Sequence, residues 1–257
     1  MTIDVFDSTI AWSRLRNNPI LFIDETDSTN TLAKNDETEI RPRLALPGSS
    51  YVGPSIYLAR TQNRGRGRGS HTWSNPQHGA LLSSWSFAVR RLPQPFFSAA
   101  AGLALYQAAT RTWPEVPFSI KAPNDLFIGR KKTAGILIES VEQGADKRTV
   151  VGIGMNFLAA PAGLDLATCL KEHLPSGPSG QLDDQNFELF LDTLCFELRN
   201  AVIVGQSDAL GAKEKDGLLT ALNRYPFYQA ELGESLVSVD DLGQLHSANK
   251  YVRWQDL

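Results

Sequence analysis

The chain has 257 residues, 42% of them hydrophobic and 21% charged, with a net charge of −3. That length and balance suit one large globular domain, or one large and one small. They exclude a surface built throughout for nucleic acid, so any local concentration of positive charge needs a local partner.

Ile20 to Ile23 read as the first strand of "PILFIDETDSTNTLAKND", after which Asp27 and Ser28 are placed to cap a helix beginning near Thr29. "SIYLARTQ" is the next strand, the Gly/Arg stretch after it is a loop, and "GALLSSWSF" resumes a strand. In "PQPFFSAAAGLALYQAATRTW", Phe97, Ala101, Leu105 and Ala108 recur at helical spacing. "SIKAPNDLFIGRKKTAGILIESVE" gives strand, turn, short strand, basic turn and strand, with Pro123, Asn124 and Asp125 as turn chemistry. "RTVVGIGMNFL" is nearly apolar throughout and is expected at the centre of the sheet. Residues 161–182 are loop-rich, broken most clearly at "LPSGPSG". Phe187, Phe190, Leu191, Leu194, Leu198 and Ala201 then share one face of a helix. The tail "ESLVSVDDLGQLHSANKYVRW" alternates weakly and reads as a small β appendage. The expected class is α+β: a mixed sheet with helices on one side. Residues 1–210 form the main domain and 211–257 the appendage.

The cysteines, Cys169 and Cys195, have no metal-ligand spacing, and Cys195 reads as a buried thiol. The acidic N-terminus is no signal peptide, and the longest apolar tract, at 96–109, is too short to span a bilayer. A cytoplasmic setting without membrane contact is expected. His71 and His78 match no zinc spacing and read as exposed loop residues.

Four stretches carry possible chemistry. In "TQNRGRGRGSHTW", Gly65, Gly67 and Gly69 permit positive φ and close backbone approach, and Arg66 and Arg68 present planar forks to phosphate or carboxylate. A solvated loop or a nucleic-acid arm fits the same stretch. Lys121 falls at a strand end before the rigid Ala122-Pro123 turn, with Lys131 and Lys132 on the following connection. Ser28, Thr29 and Asn30 place two hydroxyls and an amide at a helix start. Gly152 and Gly154 in an apolar strand admit another backbone or a ligand, with Asn156 just beyond.

Taken in order, "DETDSTN", "TQ…GRGR…W", "KAPNDL", "KKTAGILIE" and "VGIGMN" resemble the catalytic domain of biotin protein ligases, from about Phe22 to Asn156. The resemblance implies a biotin/lipoate ligase-like fold with a shortened SH3-like tail. It implies that biotin is activated with ATP to biotinyl-5′-AMP and passed to a lysine of a carrier protein, the biotin carboxyl carrier subunit of acetyl-CoA carboxylase. Lys121, Arg66 and Arg68 take the catalytic roles. Biotin contacts fall to Ser28, Thr29, Asn30, Gln62, Gly65, Arg66, Gly67, Arg68, Lys121, Gly135 and Gly152. ATP contacts fall to Arg66, Arg68, Trp73, Lys121, Asn124, Lys132 and Asn156. Mg²⁺ is implied as a cofactor, but no residue is identifiable as its ligand. Two positions depart from the family pattern: Ala122 stands where tryptophan is usual, and "GSHTW" replaces a further Gly-Arg pair. Only about twenty residues precede the Phe22 strand, too few for a helix-turn-helix module, so no DNA binding is expected. Lipoate ligase or octanoyl transferase chemistry, and a homologue that binds biotin without ligating it, stand as alternatives.

Overall fold

The computed structural model describes residues 3–36, 54–76, 78–144, 146–177, 181–226, 228 and 234–254. The end of the 174–180 break lies outside them. Helix α1 (Val5–Leu15) is followed by β1 (Ile20–Thr26), α2 (Thr29–Asn35), β2 (Ser55–Gln62), β3 (Ala80–Ala88) and α3 (Phe97–Thr112). Then come β4 (Phe118–Lys121), β5 (Asp125–Ile128), β6 (Lys131–Gln143), β7 (Asp146–Asn156) and a 3₁₀ turn, Leu170–His173. Helices α4 (Asp184–Gly205) and α5 (Ala212–Asn223) precede β8 (Leu236–Val239), β9 (Leu245–Ser247) and β10 (Tyr251–Val252).

The seven-stranded sheet runs β1-β2-β3-β7-β6-β5-β4. Only β1 and β2 are parallel; every other neighbouring pair in this sheet is antiparallel. The mixed sheet is therefore as expected, and β7 occupies its middle, where an apolar strand buried on both faces belongs. A three-stranded antiparallel sheet, β10-β9-β8, forms the C-terminal β unit.

Helices α1, α3, α4 and α5 share one large apolar core with the sheet. Its centre is aromatic: Trp113, Phe157, Phe187 and Phe190 meet with ring centroids 5.2–6.3 Å apart. Trp12 of α1 packs on Trp85 of β3 at 5.8 Å and donates its indole N–H to Asp192 of α4 at 2.8 Å. The expected helix over the aligned Phe187–Ala201 face is α4, capped by Asp183, which accepts from the Asn186 N–H at 2.9 Å. Cys195 is buried there, and burial pushes its thiol pKa up to about 11.

One expectation needs correcting: the helices do not all lie on one side. Helix α2 sits on the opposite face, where Ala33 packs on Tyr57 of β2 and Val150 of β7 in a small separate cluster. Beside α2, several of the chemistry-bearing residues gather. Two helices, α1 and α5, were not foreseen. Residues 211–257 consequently open with a helix, and α5 packs against α3 and β4.

Candidate functional site

Ser28, Thr29 and Asn30 stand buried at the start of α2. Ser28 occupies the cap position, yet its side chain makes no capping hydrogen bond. Gln62, at the end of β2, does that work from the neighbouring strand: its Oε1 accepts from the Thr29 N–H at 2.7 Å and from Thr29 Oγ1 at 3.3 Å. Asn30 is fixed on three sides. Its Nδ2 donates to the Leu137 carbonyl (3.2 Å) and to Glu139 Oε2 (2.9 Å), and its Oδ1 accepts from Ser84 Oγ (2.5 Å). Gly152 of β7 lies directly beneath: a Cβ added there would stand 2.2 Å from Asn30 Oδ1.

The Gly/Arg stretch is not an open loop but a small hairpin. Trp73 N–H donates to Gly65 O at 2.8 Å, Gly67 N–H to His71 O at 2.8 Å, and Arg66 and Thr72 form a bridge between them. Only Gly69 among its glycines has positive φ, at 64°. Gly65 and Gly67 serve close approach instead, since a Cβ on Gly65 would lie 2.5 Å from Trp73 O. The hairpin lays the Trp73 indole over Gly154 and Gly135; a Cβ on Gly154 would come within 2.5 Å of the ring. Trp73 Nε1 is buried there without a hydrogen-bond acceptor.

Charges surround this wall. Glu139 of β6 receives Lys34 Nζ at 2.6 Å, Asn30 Nδ2, and the Arg66 guanidinium. Burial pushes the Glu139 pKa up, but the hydrogen bonds from Lys34 and Asn30 and the charges of Arg66 and Lys34 outweigh it, leaving the carboxyl below its ordinary value. Lys132 pairs with Asp125 at 2.6 Å and lies 5.6 Å from the centre of the Trp73 ring. Asn124 is tied to β6: its side chain donates to Ile136 O at 2.9 Å while its own carbonyl accepts from the Ile136 N–H at 2.8 Å.

Lys121 ends β4, with its Nζ 5.9 Å from the ring centres of both Phe127 and Tyr225. The Ala122-Pro123 peptide after it is cis. Ala122, standing where a tryptophan was anticipated, is buried, and C-terminal aromatics hold its turn. Its N–H donates to the Tyr228 hydroxyl at 2.5 Å, and the Pro123 carbonyl accepts from Trp254 Nε1 at 2.8 Å.

Three cavities follow from this packing. The first, about 40 Å³, is lined by Ser28, Thr29, Asn30, Gln62, Arg66, Gly67, Trp73, Asn124, Lys132, Gly135 and Gly152, together with Ser83, Ile136, Leu137, Ile153 and Gly154. The second, about 740 Å³, lies between the hairpin tip, including Arg68, and the Lys121–Asp125 turn. The third, about 580 Å³, is lined by Lys121, Phe127, Arg130, Lys132, Tyr225 and the segment Gly163–Ala167. Lys132 lines all three, and Lys121 lines the second and third. Most of the anticipated residues are thus brought together, but Gly65 and Asn156 line none of these cavities. Asn156 is buried behind them, donating to the Thr168 carbonyl at 3.1 Å, while its Oδ1 has no partner.

Sequence reasoning missed Glu139, Ser84 and the Gly163–Ala167 segment. For Glu139 a signal existed: along β6 it falls two and four residues beyond Leu137 and Gly135, on the same strand face. His71 and His78 are exposed, as expected. Among the described residues, no group of three or more His, Cys, Asp or Glu is placed to hold a metal, and no helix is long and apolar enough to cross a membrane.

Residues 23–156 match the model of the biotin/lipoate A/B protein ligase family. A biotin–[acetyl-CoA-carboxylase] ligase of Paracoccus denitrificans is 38% identical over 135 residues, covering 51% of this chain and 55% of that protein. The bifunctional ligase/repressor BirA of Bacillus subtilis is 28% identical over 155 residues, 56% of this chain and 45% of its own. The matched stretch therefore spans about half the length of these relatives. Among solved structures, the biotin protein ligase of Aquifex aeolicus in complex with biotin and ATP superposes with a TM-score of 0.65 at 22% identity, covering 93% of this chain and 97% of that one. The biotin protein ligase of Leishmania major in complex with biotinyl-5-AMP gives 0.55 at 21% identity, covering 91% and 98%.

Proposed function

The chain belongs to the biotin/lipoate A/B protein ligase family, and from that premise we propose that it is an ATP-dependent biotin–[biotin carboxyl-carrier protein] ligase. One observation carries the reading: a polar recess walled by Thr29, Asn30 and Gln62 connects through Lys132 to two larger cavities that share Lys121. A compact ring with hydrogen-bonding edges suits the recess. A purely apolar acyl chain, by contrast, would offer the buried Trp73 indole N–H no acceptor. The names of the relatives support the same choice.

The recess as folded has room for only a few waters, at about 15 Å³ each. A bicyclic ligand therefore needs Trp73 to move off Gly154 and Gly135, and a bound acceptor would satisfy the orphaned indole N–H. The acid end then points toward Lys132 and the second cavity, where Lys121 and Arg68 meet the α-phosphate. The apolar third cavity, with Phe127, Tyr225 and Leu166, suits a nucleotide base. Attack of the carboxylate on the α-phosphorus forms the mixed anhydride and releases pyrophosphate; a carrier lysine then displaces AMP. The first step brings two anions together. A cation about 4 Å from a phosphate oxygen contributes roughly 4 kcal/mol at an effective dielectric of 20, before desolvation. Mg²⁺ belongs to this reading as the companion of the phosphates, whose charge it shares when bound. Asp125 and Asp165 are the carboxylates bordering the larger cavities, and a phosphate-bound Mg²⁺ needs only one or two such groups.

The carrier subunit of acetyl-CoA carboxylase is the proposed acceptor, and no DNA contact enters the scheme. The test is direct. Purified protein incubated with ATP, biotin and a carrier domain should release pyrophosphate only when biotin is present and should biotinylate one carrier lysine. Turnover with lipoate or octanoate in place of biotin would overturn the assignment.

A further inference from the structure

Arg66 is anticipated to meet an anion, yet in the structure it is paired with Glu139. Glu139 also holds Lys34 at 2.6 Å, so two cations share a single carboxylate and the cluster keeps a net positive charge. Lys34 alone suffices to neutralise Glu139. Arg66 is the more exposed of the two cations, with 39% of its side chain accessible against 27% for Lys34. It can therefore leave without stranding a buried charge. Arg66 also rides on the same hairpin as Trp73, joined through the Arg66–Thr72 bridge and the Trp73–Gly65 hydrogen bond.

We propose that Glu139 and Lys34 are positioning residues: Glu139 tethers Arg66, and with it the hairpin, over the recess, and Lys34 weakens that tether so that the ligand's acid group can take Arg66 over. The inference rests on the biotin reading of the recess and adds to it two residues that touch no reacting atom. Closure of the hairpin is then an exchange of one carboxylate for another on the same guanidinium. The open fraction sets the apparent affinity, since the apparent dissociation constant rises as the inverse of that fraction.

Calorimetric titration of the full chain with biotin tests this. A partly exposed ion pair is worth up to about 1 kcal/mol, roughly a fivefold change in affinity. Glu139→Gln keeps an acceptor for Asn30 but drops the charge, and should tighten biotin about fivefold. Lys34→Met leaves Arg66 as the sole counter-cation and should weaken it by a similar factor. In an Arg66→Ala background both changes should become silent, which a mere change in local field would not produce. Weaker binding in Glu139→Gln, or effects that persist without Arg66, overturns the proposal. Thermal melts accompany each variant; should Glu139→Gln fail to fold, Lys34→Met with and without Arg66 decides alone. A wild-type protein that binds no biotin would sink the functional reading instead.

Discussion

Adding a single methyl group at Gly152 should damage this protein more than its size suggests. Alanine in place of glycine at a compatible strand position gains about 0.4–1 kcal/mol from the unfolded state. Here the new Cβ would stand 2.2 Å from Asn30 Oδ1, and Asn30 has nowhere to retreat. Three hydrogen bonds hold it: to Leu137 O, to Glu139 and from Ser84. Two neutral bonds at about 1 kcal/mol and one to a charged acceptor at about 1.5–3 kcal/mol would be strained or lost. The net expectation is a loss of about 3 kcal/mol, or roughly 6–12 °C in melting temperature for a chain of this size. Melting followed by circular dichroism, with urea unfolding at 25 °C, measures it. The decisive variant is the pair Asn30→Ala with Gly152→Ala. Removing the amide clears space for the methyl, so the double variant should be no less stable than Asn30→Ala alone. Additive losses would refute the steric argument, as would a Gly152→Ala protein that melts like the wild type.

Three further outcomes follow from the geometry. Lys121→Ala should cut biotin-dependent pyrophosphate release at least about a hundredfold while leaving the melt unchanged, because its neighbours there are ring faces; release within a few-fold of normal would remove Lys121 from the chemistry. Tyr228→Phe leaves the buried Ala122 N–H without its acceptor and should cost about 1–3 kcal/mol in urea unfolding, whereas an unaltered midpoint would mean that another acceptor takes over. Glu139 is held below its ordinary pKa of 4.5 against the upward push of burial, by Lys34, Asn30 and Arg66. A depressed carboxylate adds stability above 4.5 and loses it as the pH falls through the lowered value, so the stability gap between wild type and Glu139→Gln should shrink as the pH is taken from neutrality down past 4.5. A gap independent of pH would show that the charge is not what Glu139 contributes.

Much of the fold was legible because its strands carry unambiguous patterns. The nearly unbroken apolar run of β7 and the one-sided face of α4 fix both elements and their burial. The two helices that were missed hide for opposite reasons. In α1, Val5, Phe6 and Ile10 follow an Asp4 cap, but the stretch is only 11 residues long. In α5, "AKEKDGLLTALN" is mostly polar and contains Gly217, which looks like a break. Gly217 packs closely under α3, with Leu103 at 3.2 Å from where a Cβ would be. Within the site, Ser28 to Asn30, Gln62, Arg66 and Lys132 were readable from motif order. Glu139 was signalled only by its alternation with Gly135 and Leu137 along β6, and Ser84 by nothing local, because its place depends on the register of β3 against β7. The Gly/Arg stretch misled in a different way. Its glycines suggested a flexible arm, whereas two of them allow the strands of a hairpin to close.

Asn30 is joined to partners 107 and 109 positions further along the chain. A contact of such span forms only after β6 has docked in the sheet, and sequence-distant pairings of this kind come late in folding. The recess is therefore absent from any intermediate that lacks β6 or β7. Any ligand of the recess would bind the finished protein and no earlier species, drawing the folding equilibrium toward completion by mass action.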